Sequence, residues 1–201
     1  MKKGCLIALV IAGVLLVIAM GIFMYVKSTY NNLVTLDEKV NQSWAQVQNV
    51  YQRRYDLIPN LVETVKGYAK HEKETLQGVV EARSKVGGTI NLKADELTPE
   101  KLAQFQQVQA GLSGALQRLM VVVERYPDLK ANENFIRLQD ELAGTENRIA
   151  QERRRFNTDV QTYNTSIRSF PANIFANIFG FEKRPYFEAD EKAQEAPKVE
   201  F

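Results

Sequence analysis

The chain opens on an unbroken apolar run. Residues 5–26, CLIALVIAGVLLVIAMGIFMYV, hold no charged side chain. About 20 apolar residues in a helix cross a hydrocarbon core of roughly 30 Å. Residues 1–27 therefore read as a transmembrane anchor carrying Cys5, Leu6, Val10, Leu15, Ile18, Ile22 and Val26. A cleaved leader has a shorter apolar core that ends at small residues. This run continues past Ala19-Met20-Gly21, so a retained anchor is expected. Cys5 stands at the start of the run, whereas a lipoprotein cysteine would follow it.

Beyond Lys27 the pattern changes to steps of three and four. Leu33, Leu36, Val40, Trp44, Val47, Tyr51, Tyr55, Ile58, Val62, Val65 and Ala69 lead through Glu72 to Leu76, Val79, Arg83 and Val86. This is the period of a packed helix face. Pro59 lies inside it without a slip of phase. The spacing predicts one long helix to Val86, kinked at Pro59, with the Tyr55 carbonyl deprived of its usual donor. Two helices with a tight break are the alternative, because the residue before a proline resists helical geometry. Leu57, Ile58, Leu61, Val62, Val65, Tyr68 and Ala69 make an apolar face broad enough to meet two neighbouring helices.

Gly87-Gly88 closes this segment, and residues 87–97 read as a loop. Thr98-Pro99-Glu100 opens a second helix with a hydroxyl cap, a proline at the first helical position and an early acid. Its face runs from Leu102 through Phe105, Gln109, Leu112, Leu116 and Leu119 to Val123 and Tyr126, before Pro127. A third helix follows a cap at Asn132 and repeats from Phe135 to Phe170, where Pro171 stops it. A short apolar segment with Ile174, Phe175, Ile178 and Phe179 on one side ends at Gly180. Docking on the bundle is favoured for it, because it has no basic polar face to lie on a membrane. No strand pattern occurs. The expected architecture is all-α. A transmembrane helix (1–27) precedes an antiparallel bundle (28–181) of three long helices, the first kinked and countable as two, plus a short C-terminal helix. Residues 182–201, polar, acidic and proline-bearing, read as a disordered tail.

Charge adds an orientation. Lys2, Lys3 and the amino terminus flank one end of the anchor and Lys27 the other, which favours a cytoplasmic N-terminus and an extracytoplasmic bundle. The net charge of +2 is too balanced to suggest a nucleic-acid binder. The ERRRF run at 152–156 has no aromatic ladder, so nucleic acid is not expected as a partner. One cysteine allows no intrachain disulfide and no cysteine-rich zinc site. The single histidine, His71, reads as a surface residue, and no metal or cofactor is expected. No hydrolase, phosphate-loop or dinucleotide motif occurs. Arg53, Asp56, Asn60 and Glu63 form a polar stripe opposite Ile58 and Val62. Such a stripe is expected as a solvated face, with an unrecognised catalytic site near Asp56 and Glu63 as the less favoured alternative.

Several stretches resemble the LemA proteins of bacteria. They are YNNLV at 30–34, YQRRYDLIPNLVETVKGYAKHE at 51–72, EAR at 81–83, ERYPDLKANENFIRLQDELAGTENRIAQERRRFN at 124–157 and YNTSIRSFP at 163–171. The resemblance implies a single-pass protein of the bacterial cytoplasmic membrane with a long-helix bundle and a poorly defined molecular role. It points to membrane-protein quality control, beside a membrane metalloprotease, and to magnetosome membranes. It also implies an N-terminus outside the cell, opposite to the charge argument. Arg53, Arg54, Asp56, Pro59, Asn60 and Glu63 match its signature, as do Pro127, Asn132, Asn134, Phe135, Glu141, Glu146 and Asn147. These polar positions are expected to make inter-helix hydrogen bonds or a partner surface. The functional expectation is a non-enzymatic membrane-anchored scaffold or adaptor whose partners are the bilayer and another membrane protein. The alternative is a membrane-shaping protein that self-associates through its heptads.

Overall fold

In the computed structural model, which describes residues 3–188, the apolar run and the first heptads form one uninterrupted helix, α1, Lys3–Tyr68. The side chains of Cys5 and Leu6 lie outside the described residues, as do residues 189–201. Helix α2 spans Lys73–Gly87, and a 3₁₀ turn at Ala94–Glu96 precedes α3, Pro99–Val123. The short α4, Pro127–Lys130, leads to α5, Glu133–Arg168, and α6, Ala172–Phe179. Among the described residues there is no strand.

The helix predicted to reach Val86 is two helices, and the break is not at the proline. Pro59 sits inside α1, which ends at Tyr68. The chain turns at residues 69–72, with the Glu72 amide bonded back to the Ala69 carbonyl. Glu72 caps α2 only by position. Its carboxylate instead accepts from Arg125 Nη2 at 3.0 Å and from the Tyr126 hydroxyl at 3.1 Å. The carbonyl that Pro59 leaves without a partner is not orphaned. Arg83 on α2 donates Nε to the Tyr55 carbonyl at 3.1 Å, and its guanidinium lies 3.8 Å over the Tyr55 ring. Gly87 completes the fit, since a Cβ there would come within 3.2 Å of the Tyr55 hydroxyl.

The other expected signals have their structural counterparts. Thr98 caps α3 by accepting from the Lys101 amide, and Pro99 takes the first position. Asn132 caps α5 by accepting from the Phe135 amide at 3.0 Å. Pro127 opens α4 rather than only closing α3. Phe170 lies beyond the end of α5 and is 81% exposed, so it is not part of that helix's packed face.

The chain divides into two compact units, Met1–Lys39 with Gln161–Lys183 and Val40–Val160 with Arg184–Phe201. The larger unit is a four-helix arrangement of the later part of α1 with α2, α3 and α5. Contacts Arg83–Tyr55 and Glu72–Tyr126 run α2 back along α1 and α3, while Arg53–Glu141, Arg54–Glu146 and Asn132–Tyr68 run α5 antiparallel to α1. Ile58, Leu61, Val65, Val79, Leu112 and Leu119 are fully enclosed in its core. Trp44 anchors one end, packing against Phe105 and Phe156 with ring centroids at 5.4 and 5.6 Å. The loop after α2 is tied to this end. Trp44 Nε1 donates to the Leu92 carbonyl at 2.7 Å, and Gln48 Nε2 donates to the carbonyls of Ile90 and Leu92.

Residues 184–188, within the stretch expected as a disordered tail, pack within the larger unit. Phe187 is buried among Trp44, Phe105 and Phe156. Asn157 clamps its backbone in both directions, at 2.9 Å each way. Arg184 donates to the Ala94 carbonyl at 2.8 Å. One aromatic ring buries enough surface to hold a short strap that composition alone marks as disordered.

Replacing Arg83 with Ala is expected to cost about 1–3 kcal/mol, because it orphans a backbone carbonyl. In a Pro59→Ala background residue 59 regains an N–H for that carbonyl, so the cost of Arg83→Ala should shrink. Thermal unfolding of the four proteins of this double-mutant cycle measures the coupling. Strict additivity would show that Arg83 does not stand in for the missing donor.

Candidate functional site

Residues Tyr51 and Arg54, one turn apart on α1, face Gln109 and Ser113, one turn apart on α3. Glu146 reaches the same place from α5. Arg54 is 2% exposed. Its Nη1 donates to Ser113 Oγ at 2.9 Å and to Glu146 Oε1 at 2.7 Å, and its Nη2 donates to the side chain of Gln109. The guanidinium also lies 5.1 Å from the centroid of the Tyr51 ring. A planar cation with a fixed fork of donors is the group that can join three helices this way. Burial pushes the Tyr51 phenol up from its ordinary value of 10.0, against the opposing pull of Arg153 and Arg54.

These residues line a cleft of about 940 Å³ that also takes in Gln106, Gln117 and Arg153. Arg54 Nε and Gln109 Nε2 are buried there with no protein partner. Both are donors, so the interior of the cleft favours an acceptor oxygen.

A second concavity lies between the end of α1 and the start of α2. It measures about 660 Å³, with Val62, Leu76 and Val80 on its floor and Lys66, Lys70 and Lys73 among its walls. Glu63 and Glu81 are also on its walls, and Glu63 pairs with Lys66 at 3.2 Å. Among the described residues, Lys70 and Lys73 make no ion pair, and neither does Glu81 across the groove.

A family model described as the LemA family matches residues 43–201. The chain belongs to the LemA family. It is 29% identical over 202 residues to the magnetosome protein MamQ 2 of Paramagnetospirillum magneticum, covering 92% of this chain and 74% of that one. It is also 29% identical over 177 residues to the magnetosome protein MamQ of Magnetospirillum gryphiswaldense, covering 79% of this chain and 64% of that one. With the protein LemA of Metamycoplasma hominis it shares 25% identity over 177 residues, covering 87% and 76% of the two chains.

The polar positions named from the sequence of this LemA-family chain sort into two sets. Arg54 with Glu146, and Arg53 with Glu141, join α1 to α5. Asn132 caps α5 and donates to the Tyr68 hydroxyl at 3.0 Å, while Phe135 is buried beneath it. The second set faces solvent. Asp56 is exposed and accepts from Gln52, and Pro59, Asn60, Glu63 and Asn147 are exposed as well. Glu63 lines the lysine groove, and Asp56 is not among the residues that line it. Sequence reasoning missed Ser113, Tyr51 and Arg153 as members of the Arg54 cleft. Gln109, a glutamine on an otherwise apolar face, was the available signal.

The ion pair at the cleft is asymmetric, because Arg54 is buried whereas the Glu146 side chain is 46% exposed. Glu146→Ala strands a buried cation and should cost about 2–3 kcal/mol, less than for a fully enclosed pair. Arg54→Met leaves behind a solvent-reachable acid and the neutral acceptors of Ser113 and Gln109, but no buried charge, and should cost less. Denaturant unfolding of both variants tests the order, and the reverse order would show that solvent, not Glu146, balances the Arg54 charge.

Proposed function

We propose that this LemA-family chain is a non-enzymatic, membrane-anchored helical adaptor that holds another membrane protein. The observation that carries this reading is α1 itself. One 66-residue helix contains both an apolar segment long enough to cross a membrane and the first helix of the bundle. That segment is unburied by the rest of the chain, as a lipid-facing helix would be. Kinship with MamQ proteins, named as magnetosome proteins, agrees with a membrane location. The residues of the Arg54 cleft are hydrogen-bonded across helices, which suits a rigid platform better than a reaction centre. The orientation proposed is a cytoplasmic N-terminus with the bundle outside, in the cytoplasmic membrane, on the charge argument.

The lysine groove is where the partner is proposed to dock. Its apolar floor suits an amphipathic helix, and the unpaired lysines at 70 and 73 can pair with acids on its flank. A photo-crosslinking side chain at Gln77, on the groove wall, should trap a discrete membrane protein in intact membranes. Lys70→Glu with Lys73→Glu should abolish that adduct while leaving the unfolding temperature unchanged. The absence of any charge-dependent adduct would remove the groove as a docking site. A single cysteine at Glu200 in a Cys5→Ser background, probed with an impermeant maleimide, decides the side of the membrane. Labelling of intact cells is expected, and labelling only after lysis would place the bundle in the cytoplasm.

A further inference from the structure

Helix α6 carries more apolar surface than its own unit covers. Its C-cap, Gly180, has a positive φ of 76° and turns the chain sharply after Phe179. At about 100° per residue, Ala172, Phe175, Ala176 and Phe179 share one side of the helix. Ile174 and Ile178 extend that side beyond Phe175, and Asn173 and Asn177 occupy the remaining arc. Only part of this apolar arc is used. Ala176 is buried, Phe175 packs 6.0 Å from the Tyr25 ring, and Phe179 packs 5.0 Å from the Tyr30 ring. Ile174 is left 48% exposed and Ile178 69%, with Phe170 just before the helix at 81%. Sequence reasoning favoured docking over a membrane position. The structure shows docking of one side and leaves the other side open.

The height of that docking is what assigns an occupant. Tyr25 lies 20 residues after Cys5, and 20 residues of helix span about 30 Å, the thickness of a hydrocarbon core. With the apolar run embedded, Tyr25 stands where tyrosines collect, at the boundary between acyl chains and headgroups. Phe175 holds α6 against that level, within the same compact unit. Exposed Lys27, Arg168 and Lys183 surround the segment, with Glu182 the neighbouring acid. That excess of cations suits anionic headgroups. We propose that α6 sits at the membrane interface, with Phe170, Ile174 and Ile178 entering the same bilayer that α1 crosses. A single anchor helix tilts and swivels freely, and a second interfacial element beside it restrains that tilt. This rests on the membrane-anchored reading above.

The test is spin-label depth measurement on the full chain in vesicles of phosphatidylethanolamine and phosphatidylglycerol. In a Cys5→Ser background, one nitroxide is placed at Ile178→Cys, one at Gly13→Cys in the anchor and one at Glu74→Cys on the outer surface of α2. All three positions are exposed in the protein. The ratio of oxygen to nickel-chelate accessibility should be high at 13, low at 74 and raised toward the anchor value at 178, at a depth of about 5–10 Å. An aqueous ratio at 178 with a deep label at 13 overturns the interfacial placement and leaves the anchor standing. Inaccessibility of 178 to both reagents means that protein covers α6, a second copy included, and also overturns it. An aqueous label at 13 removes the anchor, and the placement falls with it.

Discussion

A backbone carbonyl without its helical donor organises the centre of this bundle. Pro59 cannot give an N–H to the Tyr55 carbonyl, and a buried carbonyl left unpaired costs more than the hydrogen bond itself contributes. Arg83 makes the bond from the neighbouring helix. The same guanidinium covers the Tyr55 ring, and Gly87 leaves room for the ring's hydroxyl. A helical defect in α1 therefore sets the register of α2. Since Glu72 at the head of α2 is held by Arg125 and Tyr126 from the turn that follows α3, the register passes on to the α3–α4 corner.

One residue before that carbonyl, Arg54 does the equivalent work across α1, α3 and α5. The two neighbouring contacts differ in kind. Arg83 satisfies a backbone group at the edge of the core, whereas Arg54 is itself a buried charge that requires three side chains around it. A polar interior of this sort adds little net stability relative to a well-packed apolar one. Its geometry is demanding, and it admits one mutual placement of the three helices. That is a useful property in a bundle whose heptad faces would tolerate several registers.

The smaller unit has a different logic. Its apolar surface is plentiful and only partly covered by protein, and its aromatic contacts cluster around Tyr25 and Tyr30. At the other end of α1 the groove beside Lys66, Lys70 and Lys73 combines an apolar floor with positive charge. An adaptor reading assigns the first surface to lipid and the second to protein.

Periodicity, caps and the length of the apolar run determined the all-α class, the long apolar N-terminal helix and the starts of α3 and α5. These are local properties, set by residues three or four apart or by one side chain on its own backbone. The break at residues 69–72 left no such mark. It contains neither glycine nor proline, its cap residue does not cap, and the two helices bury faces of matching phase. Tertiary structure alone decided which member of the Arg53-Arg54 pair is buried, why Phe187 is held and which side of α6 stays open. Each of those depends on a partner that the chain supplies from 30 or more positions away or, at α6, on a neighbour from the opposite end of the chain. A buried charge, a slot for a ring and a donor for a stranded carbonyl exist only once distant helices have met.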